Sequence, residues 1–225
     1  MLLYILPPEL APANGPVALH ETPYGRVTQR GSVLIRDVDA RALIYAAKAA
    51  GAERILAADR VSGISPLLEE GDLVIPADTI DQTRLKPFTF FVGKGYGFIK
   101  LDPPFCPQCM AALLDSGRSR QARTFARATY VGLDGPRELT PAERRMYRTW
   151  SADVAGTGLL PEAYLARELE LCYAAVTVVE SGELLPVLEA AAQALAQGHE
   201  RTCACGQTMA FARANGLVGE DWRTW

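Results

Sequence analysis

Three carboxylate side chains lie in loops where they could act as proton donors in catalysis. Glu138 follows one predicted strand, and Glu180 and Glu183 follow another. A carboxyl group that is close to other carboxylates has a raised pKa and can serve as a general acid near neutral pH. Such residues are equally typical of solvated surface loops, and the sequence leaves both interpretations open.

The five cysteines could also do chemistry. Cys106 and Cys109 form a C-x-x-C pair, Cys203 and Cys205 form a C-x-C pair, and Cys172 stands alone. The spacing of a C-x-x-C pair suits tetrahedral thiolate binding of zinc, but a C-x-C pair is unusual for that metal and lies far away in the chain. The odd number argues against a secreted disulfide framework. The sequence therefore assigns no metal ligands, and Cys172 is expected to be a small buried thiol.

The segment from Ala128 to Val179 predicts the elements that would position the carboxylates. Apolar runs indicate three buried strands, and polar periodic stretches between them indicate two helices. Thr140 is predicted to be the N-cap of the first helix, because Pro141 occupies its first position and Glu143 completes a capping box. The predicted strands are Ala128–Leu133, Asp153–Thr157 and Cys172–Val179, and the helices run from Thr140 to Trp150 and from Pro161 to Glu170.

Alternating strands and helices predict a mostly parallel sheet with helices packed on it. Ligands of such sheets bind beyond the carboxyl ends of the strands. We therefore expect one site to be built from three loops, Gly132–Leu139, Thr157–Leu159 and Glu180–Glu183.

The remaining segments continue the same pattern. Pro7–Pro16 is predicted to be a loop, Leu85–Gly97 a hairpin or loop, and Ser116–Arg127 a solvated helix or turn. Further strands are predicted at Met1–Leu6, Gly31–Arg36, Glu53–Asp59 and Glu70–Pro76, and further helices at Asp39–Gly51, Leu184–Gly198 and Thr208–Asn215.

Length and composition favour one globular domain covering residues 1–225. Hydrophobic residues make up 49% and charged residues 22% of the chain, and the formal net charge of −3 gives no reason to expect nucleic acid binding. No apolar run approaches the roughly 20 residues that span a bilayer, so no membrane association is expected. Met1–Leu6 is too short for a signal peptide, and we expect a cytoplasmic protein.

Several motifs together resemble a known family. GPRELTPAE (135–143), WSADVAGTGLLPEAYLARELELCYA (150–174), EEGDLVIPADTIDQT (69–83) and, more weakly, ETPYG (21–25) are similar to motifs of the nucleoside phosphorylases, in their trimeric purine nucleoside and methylthioadenosine phosphorylase branch. The resemblance implies a three-layer α/β fold of the phosphorylase/hydrolase type, with a central mixed, mostly parallel sheet flanked by helices. It also implies phosphorolysis of the N-glycosidic bond of a purine nucleoside, with phosphate as co-substrate, no cofactor, and a homo-oligomer, trimeric or hexameric.

The resemblance implies catalytic roles at three positions. The loop after Gly-Pro carries an aromatic and a polar or acidic residue in the family, and here these positions are Glu138 and Leu139. The base-facing Asn or Asp of the family corresponds to Ser181, and a second acid of the methylthioadenosine enzymes corresponds to Glu183. We expect Glu138, Ser181 and Glu183 to be the catalytic candidates.

Ligand-binding roles follow in the same way. The methionine that packs under ribose in the family corresponds to Thr157 here. The family's Gly-Ser pair, whose backbone contacts phosphate, corresponds to the reversed pair Ser62-Gly63. Arg60 in that loop could bind phosphate through two nitrogens, or could pair with Asp59 or Glu69. The expected ligand-binding residues are Arg60, Ser62, Gly63, Leu139, Thr157, Gly158, Leu159 and Glu180.

The phosphate-binding positions depart from the family. Where its members carry a glycine- and serine-rich turn, this chain reads PPELAPANG (7–15), and the family's Arg-His pair is missing. Arg36 and Arg137 are the other candidate cations, and the two histidines, His20 and His199, are expected at the surface. Three hypotheses follow: a phosphorylase with a rebuilt phosphate site, a hydrolytic nucleosidase, or a non-catalytic relative that binds a small molecule or partner.

The resemblance also bears on the cysteines. A C-x-C pair near the C-terminus is similar to the stabilising cysteine pair of some heat-adapted phosphorylases. Whether Cys106, Cys109, Cys203 and Cys205 form disulfides, bind metal or stay free remains open at this point.

Overall fold

A computed structural model describes residues 1–135, 137–198, 200–219 and 222. Pro136, which was expected to end a strand, and His199, which was expected at the surface, lie outside these residues. His20 is half-buried, and its Nε2 atom lies 2.6 Å from Oε1 of Gln29.

The centre of the molecule is a mixed sheet in the order β2-β3-β4-β1-β5-β8-β7-β6-β9. β9 also pairs with β5, so that β5, β8, β7, β6 and β9 close into a ring. The strands are β1 (Leu2–Leu6), β2 (Val17–Thr22), β3 (Gly25–Arg30), β4 (Val33–Ile35), β5 (Arg54–Gly63), β6 (Leu73–Asp81), β7 (Thr124–Gly132), β8 (Val154–Gly156) and β9 (Cys172–Val179).

The two faces of the sheet are covered by different helices. Along β9, Tyr173, Ala175 and Val179 join one buried cluster with the helices Ala40–Ala49 and Glu162–Glu168, whereas Ala174 and Val176 join a second with the helices Pro107–Ser119 and Leu185–Gln197. This alternation follows from the two-residue side-chain period of a strand and produces three layers. The helices are α1 (Ala40–Ala49), α2 (Pro107–Ser119), α3 (Pro141–Thr149), α4 (Glu162–Glu168), α5 (Leu185–Gln197) and α6 (Ala210–Ala214).

The strand directions confirm the predicted mixed α/β class. β1 runs parallel to β4 and β5, β5 runs parallel to β9, and β7 runs parallel to β6 and β8. β5 and β8, β6 and β9, and the strands of the β2–β3–β4 meander are antiparallel.

Local sequence signals predicted several elements well. The Thr140 side chain accepts a hydrogen bond from the backbone N–H of Glu143 at 3.2 Å, and Glu143 accepts one from the backbone N–H of Thr140 at 2.9 Å. The predicted capping box is therefore confirmed. β9 has the predicted bounds, while β5 and β6 extend further than predicted, to Gly63 and Asp81.

The hairpin formed by β2 and β3 and the helix α2 were not predicted. The β2–β3 hairpin is mostly exposed, so its sequence lacks the apolar alternation that marks a buried strand. α2 was missed because its buried face is interrupted by small residues, Ser116 and Gly117. The predicted solvated stretch 116–127 is in fact the end of α2, a turn and the start of β7. Residues 85–97, predicted to be a hairpin or a loop, form a loop without helix or strand.

Candidate functional site

A cleft of about 940 Å³ opens where β1, β4 and β8 end, beside Asp59 and Arg60 in the second half of β5. This is the edge at which sheets of this type bind ligands. The start of α1, the start of α4 and the segment Leu85–Pro87 complete its walls. Eight charged side chains line it: Glu9, Arg36, Asp37, Asp39, Asp59, Arg60, Lys86 and Glu162.

A buried ion pair forms the floor of this cleft. Arg36 follows β4 and donates from Nε to Oε1 of Glu162 at 2.6 Å and from Nη2 to Oε2 at 3.0 Å. Glu162 opens α4, is 1% exposed, and also accepts a hydrogen bond from the Tyr173 hydroxyl at 2.7 Å. Burial lowers the pKa of Arg36, but the charge and hydrogen bonds of Glu162 outweigh it and raise that pKa above its ordinary value. Arg36 is therefore committed to a structural partner.

Asp59 in β5 lies beside this pair. Its carboxylate accepts hydrogen bonds from the Tyr130 hydroxyl at 2.8 Å and from the Gly158 backbone N–H at 3.0 Å, and it lies 3.8 Å from Arg36. Burial raises the pKa of Asp59, and the positive charge of Arg36 opposes that shift. A side chain at Gly158 has no room, because its Cβ would lie 2.6 Å from Nη1 of Arg36. The sequence needs glycine at this point for the network to close.

Lys86 clamps the segment 85–87 onto the loop that follows β8. Its Nζ donates to the backbone carbonyl oxygens of Thr157, Leu160 (3.2 Å) and Leu133 (3.4 Å). Desolvation lowers the pKa of Lys86, and the negative charges of Glu162, Asp134 and Asp59 offset only part of that shift. The ammonium group is thus partly withheld from a ligand.

Arg60 is the cation that remains available in the cleft. Its side chain is exposed and has no hydrogen-bond or ion-pair partner within the described residues. It pairs with neither of the two acids considered above, because Asp59 is held by Tyr130 and Glu69 pairs with Arg123 at 3.0 Å. Arg137, the third candidate cation, is exposed and pairs with Glu143 at 2.9 Å.

Of the predicted ligand-binding residues, the structure brings Arg60, Thr157 and Gly158 together in the cleft. Ser62 and Gly63 lie further along β5, where they pair with β8. Leu159 is fully buried, and its backbone N–H donates to the Tyr130 hydroxyl at 3.3 Å.

The loop after β7 contributes Gly135 to the cleft but neither of its two candidates. Glu138 is exposed outside the lining, and its carbonyl accepts a hydrogen bond from Arg137 at 3.3 Å. Leu139 is buried in a separate hydrophobic cluster with Tyr147. The side chain of Leu139 therefore serves packing in this chain.

Three loops were expected to converge on one site, and two of them do. The loops after β7 and β8 reach the cleft, and the loop after β9 does not. β9 continues past the cleft, since Thr177 pairs with Asp59 and the strand ends two residues later. The loop after it meets the start of β6, where the Ser181 hydroxyl donates to Glu70 at 2.6 Å. Glu180 and Glu183 are exposed, and Glu183 lines a different, smaller pocket together with Arg120. The antiparallel pairing of β9 with β6 carries this loop away from the other two.

The network residues Glu162, Lys86, Tyr130 and Tyr173 were not among the sequence candidates. For Glu162 a signal existed, because it follows Pro161 at the start of a predicted helix, and an acid that is buried there must be paired. The tyrosines and Lys86 had no comparable signal. No helix of the described residues is long and apolar enough to cross a membrane.

The closed mixed sheet with helices on both faces defines an α/β protein, and a polar cleft opens at the carboxyl ends of β1, β4 and β8. The chain belongs to the phosphorylase superfamily, whose family model matches residues 18–209. The resemblance inferred from the motifs is thereby confirmed.

Curated relatives agree with this assignment, and a solved structure agrees with the fold. The chain is 40% identical over 149 residues to a 6-oxopurine nucleoside phosphorylase of Pyrococcus furiosus, covering 63% of this chain and 56% of that protein. It is 33% identical over 204 residues to a purine nucleoside phosphorylase of Streptomyces coelicolor, covering 76% and 73%. A methylthioadenosine phosphorylase from an antarctic soil metagenomic library superimposes with a TM-score of 0.81 at 24% identity, over 99% and 96% of the chains. The chain spans little more than half the length of the Pyrococcus relatives it matches.

Proposed function

We propose that this chain cleaves the N-glycosidic bond of a purine nucleoside or methylthio-nucleoside with phosphate as the acceptor. The observation that carries the proposal is an open cleft at the strand ends with the free guanidinium of Arg60 on its wall. The relatives named purine nucleoside and methylthioadenosine phosphorylases support the same chemistry.

The charges of the cleft suit part of this reaction. Glycosidic cleavage develops positive charge on the ribose, and carboxylates placed around it stabilise that charge. Five carboxylates and three cations line the cleft, an excess of two negative charges when all are ionised. Phosphate needs cationic or N–H donors, and Arg60 supplies one that can bind two phosphate oxygens at once.

Hydrolysis is the second candidate, and one observation favours it. Arg36 is bound by Glu162, and Lys86 donates to three carbonyl oxygens, so Arg60 is the cation left for an anion in the described part of the cleft. Water as the nucleophile would need no anion site, and a carboxylate of the cleft would activate it.

Base release with and without phosphate separates the candidates. The protein is incubated with inosine, adenosine and methylthioadenosine, and purine and ribose 1-phosphate are quantified by chromatography. Release that requires phosphate and yields the sugar phosphate supports the proposal. Release without phosphate supports hydrolysis. No release, with nucleoside binding retained in calorimetry, supports the non-catalytic alternative and refutes both reactions.

Arg60→Ala tests the phosphate site directly. We expect the KM for phosphate to rise by an order of magnitude or more, because the variant cannot form the charge-assisted bidentate hydrogen bonds. Arg118→Ala removes an equally exposed arginine at the end of α2 and serves as the matched control. Equal phosphate kinetics of both variants and the parent would refute the role of Arg60.

We also propose a homo-oligomer, trimeric or hexameric, located in the cytoplasm. The segment 85–98 exposes five large apolar side chains, which is typical of an association surface. They are Leu85, Phe88, Val92, Tyr96 and Phe98. The five unbridged cysteines are consistent with a reducing compartment. Light scattering coupled to size-exclusion chromatography measures the subunit number, and a monomer at micromolar concentration would refute the assembly.

A further inference from the structure

Four cysteines from three distant parts of the chain meet at one point of the fold. The Sγ atoms of Cys106, Cys172, Cys203 and Cys205 all lie within 4.8 Å of one another. Cys106 is the N-cap of α2, Cys172 begins β9, and the other two belong to a short 3₁₀ turn at Ala204–Gln207 and the residue before it. The cluster thus links a helix, the sheet and the C-terminal segment.

The sulfur separations suit a tetrahedral metal centre. With Zn–S bonds of about 2.3 Å, ligand sulfurs of a regular tetrahedron lie about 3.8 Å apart. The Sγ atoms of Cys172 and Cys203 are 3.4 Å apart, and all five cysteines of the chain are free thiols. Three of the four are buried and Cys203 is partly exposed. Side chains already gathered in this way need little reorganisation to hold an ion.

The charges around the cluster point to an anionic centre. Four thiolates and one divalent cation carry a net charge of −2, which needs positive partners nearby. Arg54 is the direct neighbour of Cys172 in the β5–β9 pairing, and it is 9% exposed. Its Nε and Nη2 atoms are buried without a hydrogen-bond partner among the described residues. A buried guanidinium without compensation is costly, and a doubly negative centre beside it would compensate its charge.

A cavity beside the cluster gives a metal ion access, and the distance of the cluster from the cleft indicates a structural role. Cys203 and Cys205 line a cavity of about 580 Å³ that a metal ion can enter. The cluster lies at the amino end of β5 and β9, and Arg54 there precedes Asp59 by five residues along β5. At about 3.3 Å per residue that is about 17 Å from the cleft. An ion at this position would stabilise the fold and would take no part in the chemistry of the cleft.

We propose that Cys106, Cys172, Cys203 and Cys205 bind one structural Zn²⁺ ion per chain. The ion joins the start of α2 and the start of β9 to the C-terminal segment, which is otherwise held by contacts such as the Thr208 hydroxyl donating to the Arg167 carbonyl at 2.6 Å. Binding is accompanied by loss of the four thiol protons, with no change of oxidation state. Tetrathiolate sites of this geometry select zinc or iron, and zinc, which has no redox chemistry, suits a site whose task is to brace the fold.

Metal analysis of the purified full chain tests the site. Protein expressed with added zinc, desalted and measured by plasma mass spectrometry, is expected to contain about one zinc per chain. Cys203→Ala is expected to lose the ion and to unfold at a lower temperature. Cys109→Ala is the matched control for the choice of ligands, because Cys109 is a buried thiol on α2 that lies beside Cys106 and Cys172 but outside the group of four. It is expected to keep the ion.

A second measurement covers the case in which a variant fails to fold. Cobalt exchanged into the parent protein is expected to show the intense thiolate-to-cobalt absorption of a tetrahedral tetrathiolate site. Four thiols that react freely without releasing metal, a disulfide among the four in the mass of the purified protein, or iron in place of zinc would each overturn the proposal. Loss of the ion from Cys109→Ala but not from Cys203→Ala would overturn the ligand set.

Discussion

Glu162→Ala tests whether the buried network under the cleft stabilises the fold as its geometry indicates. The change removes two hydrogen bonds to Arg36 and the acceptor of the Tyr173 hydroxyl. Arg36, whose side chain is 11% exposed, is left with Asp59 at 3.8 Å as its remaining carboxylate neighbour.

The magnitude follows from the interactions that the change removes. Removing one partner of a buried ion pair costs about 3–5 kcal/mol, because the other charge stays buried without compensation. Asp59 offsets part of this loss, while the unpaired Tyr173 hydroxyl adds about 1 kcal/mol. We therefore expect the free energy of unfolding to fall by about 3–5 kcal/mol. Glu162→Gln, which keeps the shape and part of the hydrogen bonding, should cost less.

Urea unfolding followed by circular dichroism measures these differences at a fixed protein concentration. The double variant Arg36→Met/Glu162→Met is expected to be more stable than Glu162→Ala, because neither member of the ion pair is then left buried without its partner, and Asp59 keeps its hydrogen bonds from Tyr130 and Gly158. A loss below about 1 kcal/mol for Glu162→Ala would place the pair among surface ion pairs and refute the reasoning. So would strictly additive costs in a cycle built from the two single Met variants and the double variant.

Three further changes test local features. Thr140→Ala removes the cap of α3 and should cost about 1 kcal/mol in urea unfolding. Gly158→Ala places a Cβ 2.6 Å from Nη1 of Arg36 and should lower the free energy of unfolding by about 1–3 kcal/mol, whereas Gly219→Ala, with open space around it, should be neutral in the same assay. Burial raises the pKa of Glu168 from 4.5 to about 7. The unfolded chain then binds fewer protons than the folded one between these values, so stability should fall by up to about 3 kcal/mol as pH rises through that window. Glu168→Gln should remove this slope in unfolding curves recorded across the same window, and an unchanged slope would contradict the shift.

The elements of the central segment were predictable because their signals are local. β9 is apolar throughout and ends where Glu180 begins the next loop, and the capping box at Thr140 is complete within four residues. The family motifs cover the same segment and were sufficient to identify the superfamily.

The site was less predictable, because its composition depends on where each strand ends relative to the strands paired with it. Thr157 and Gly158 were placed well because they directly follow β8. Ser181 and Glu183 follow β9 in the same way along the chain, but β9 passes the level of Asp59 before it ends. The length of a strand relative to its neighbours cannot be inferred from its own residues.

The chain alone therefore determined the α/β class, the local caps and the superfamily, since each is encoded in a few consecutive residues. The tertiary structure alone decided which charges are free and which thiols meet. Arg36 and Arg60 have the same side chain, and only the position of Glu162 in the fold commits one and leaves the other exposed. Cys172 and Cys203 are 31 residues apart and meet because the C-terminal segment returns to the start of β9. Contacts between distant residues depend on the order and register of the strands, which no short stretch of sequence encodes.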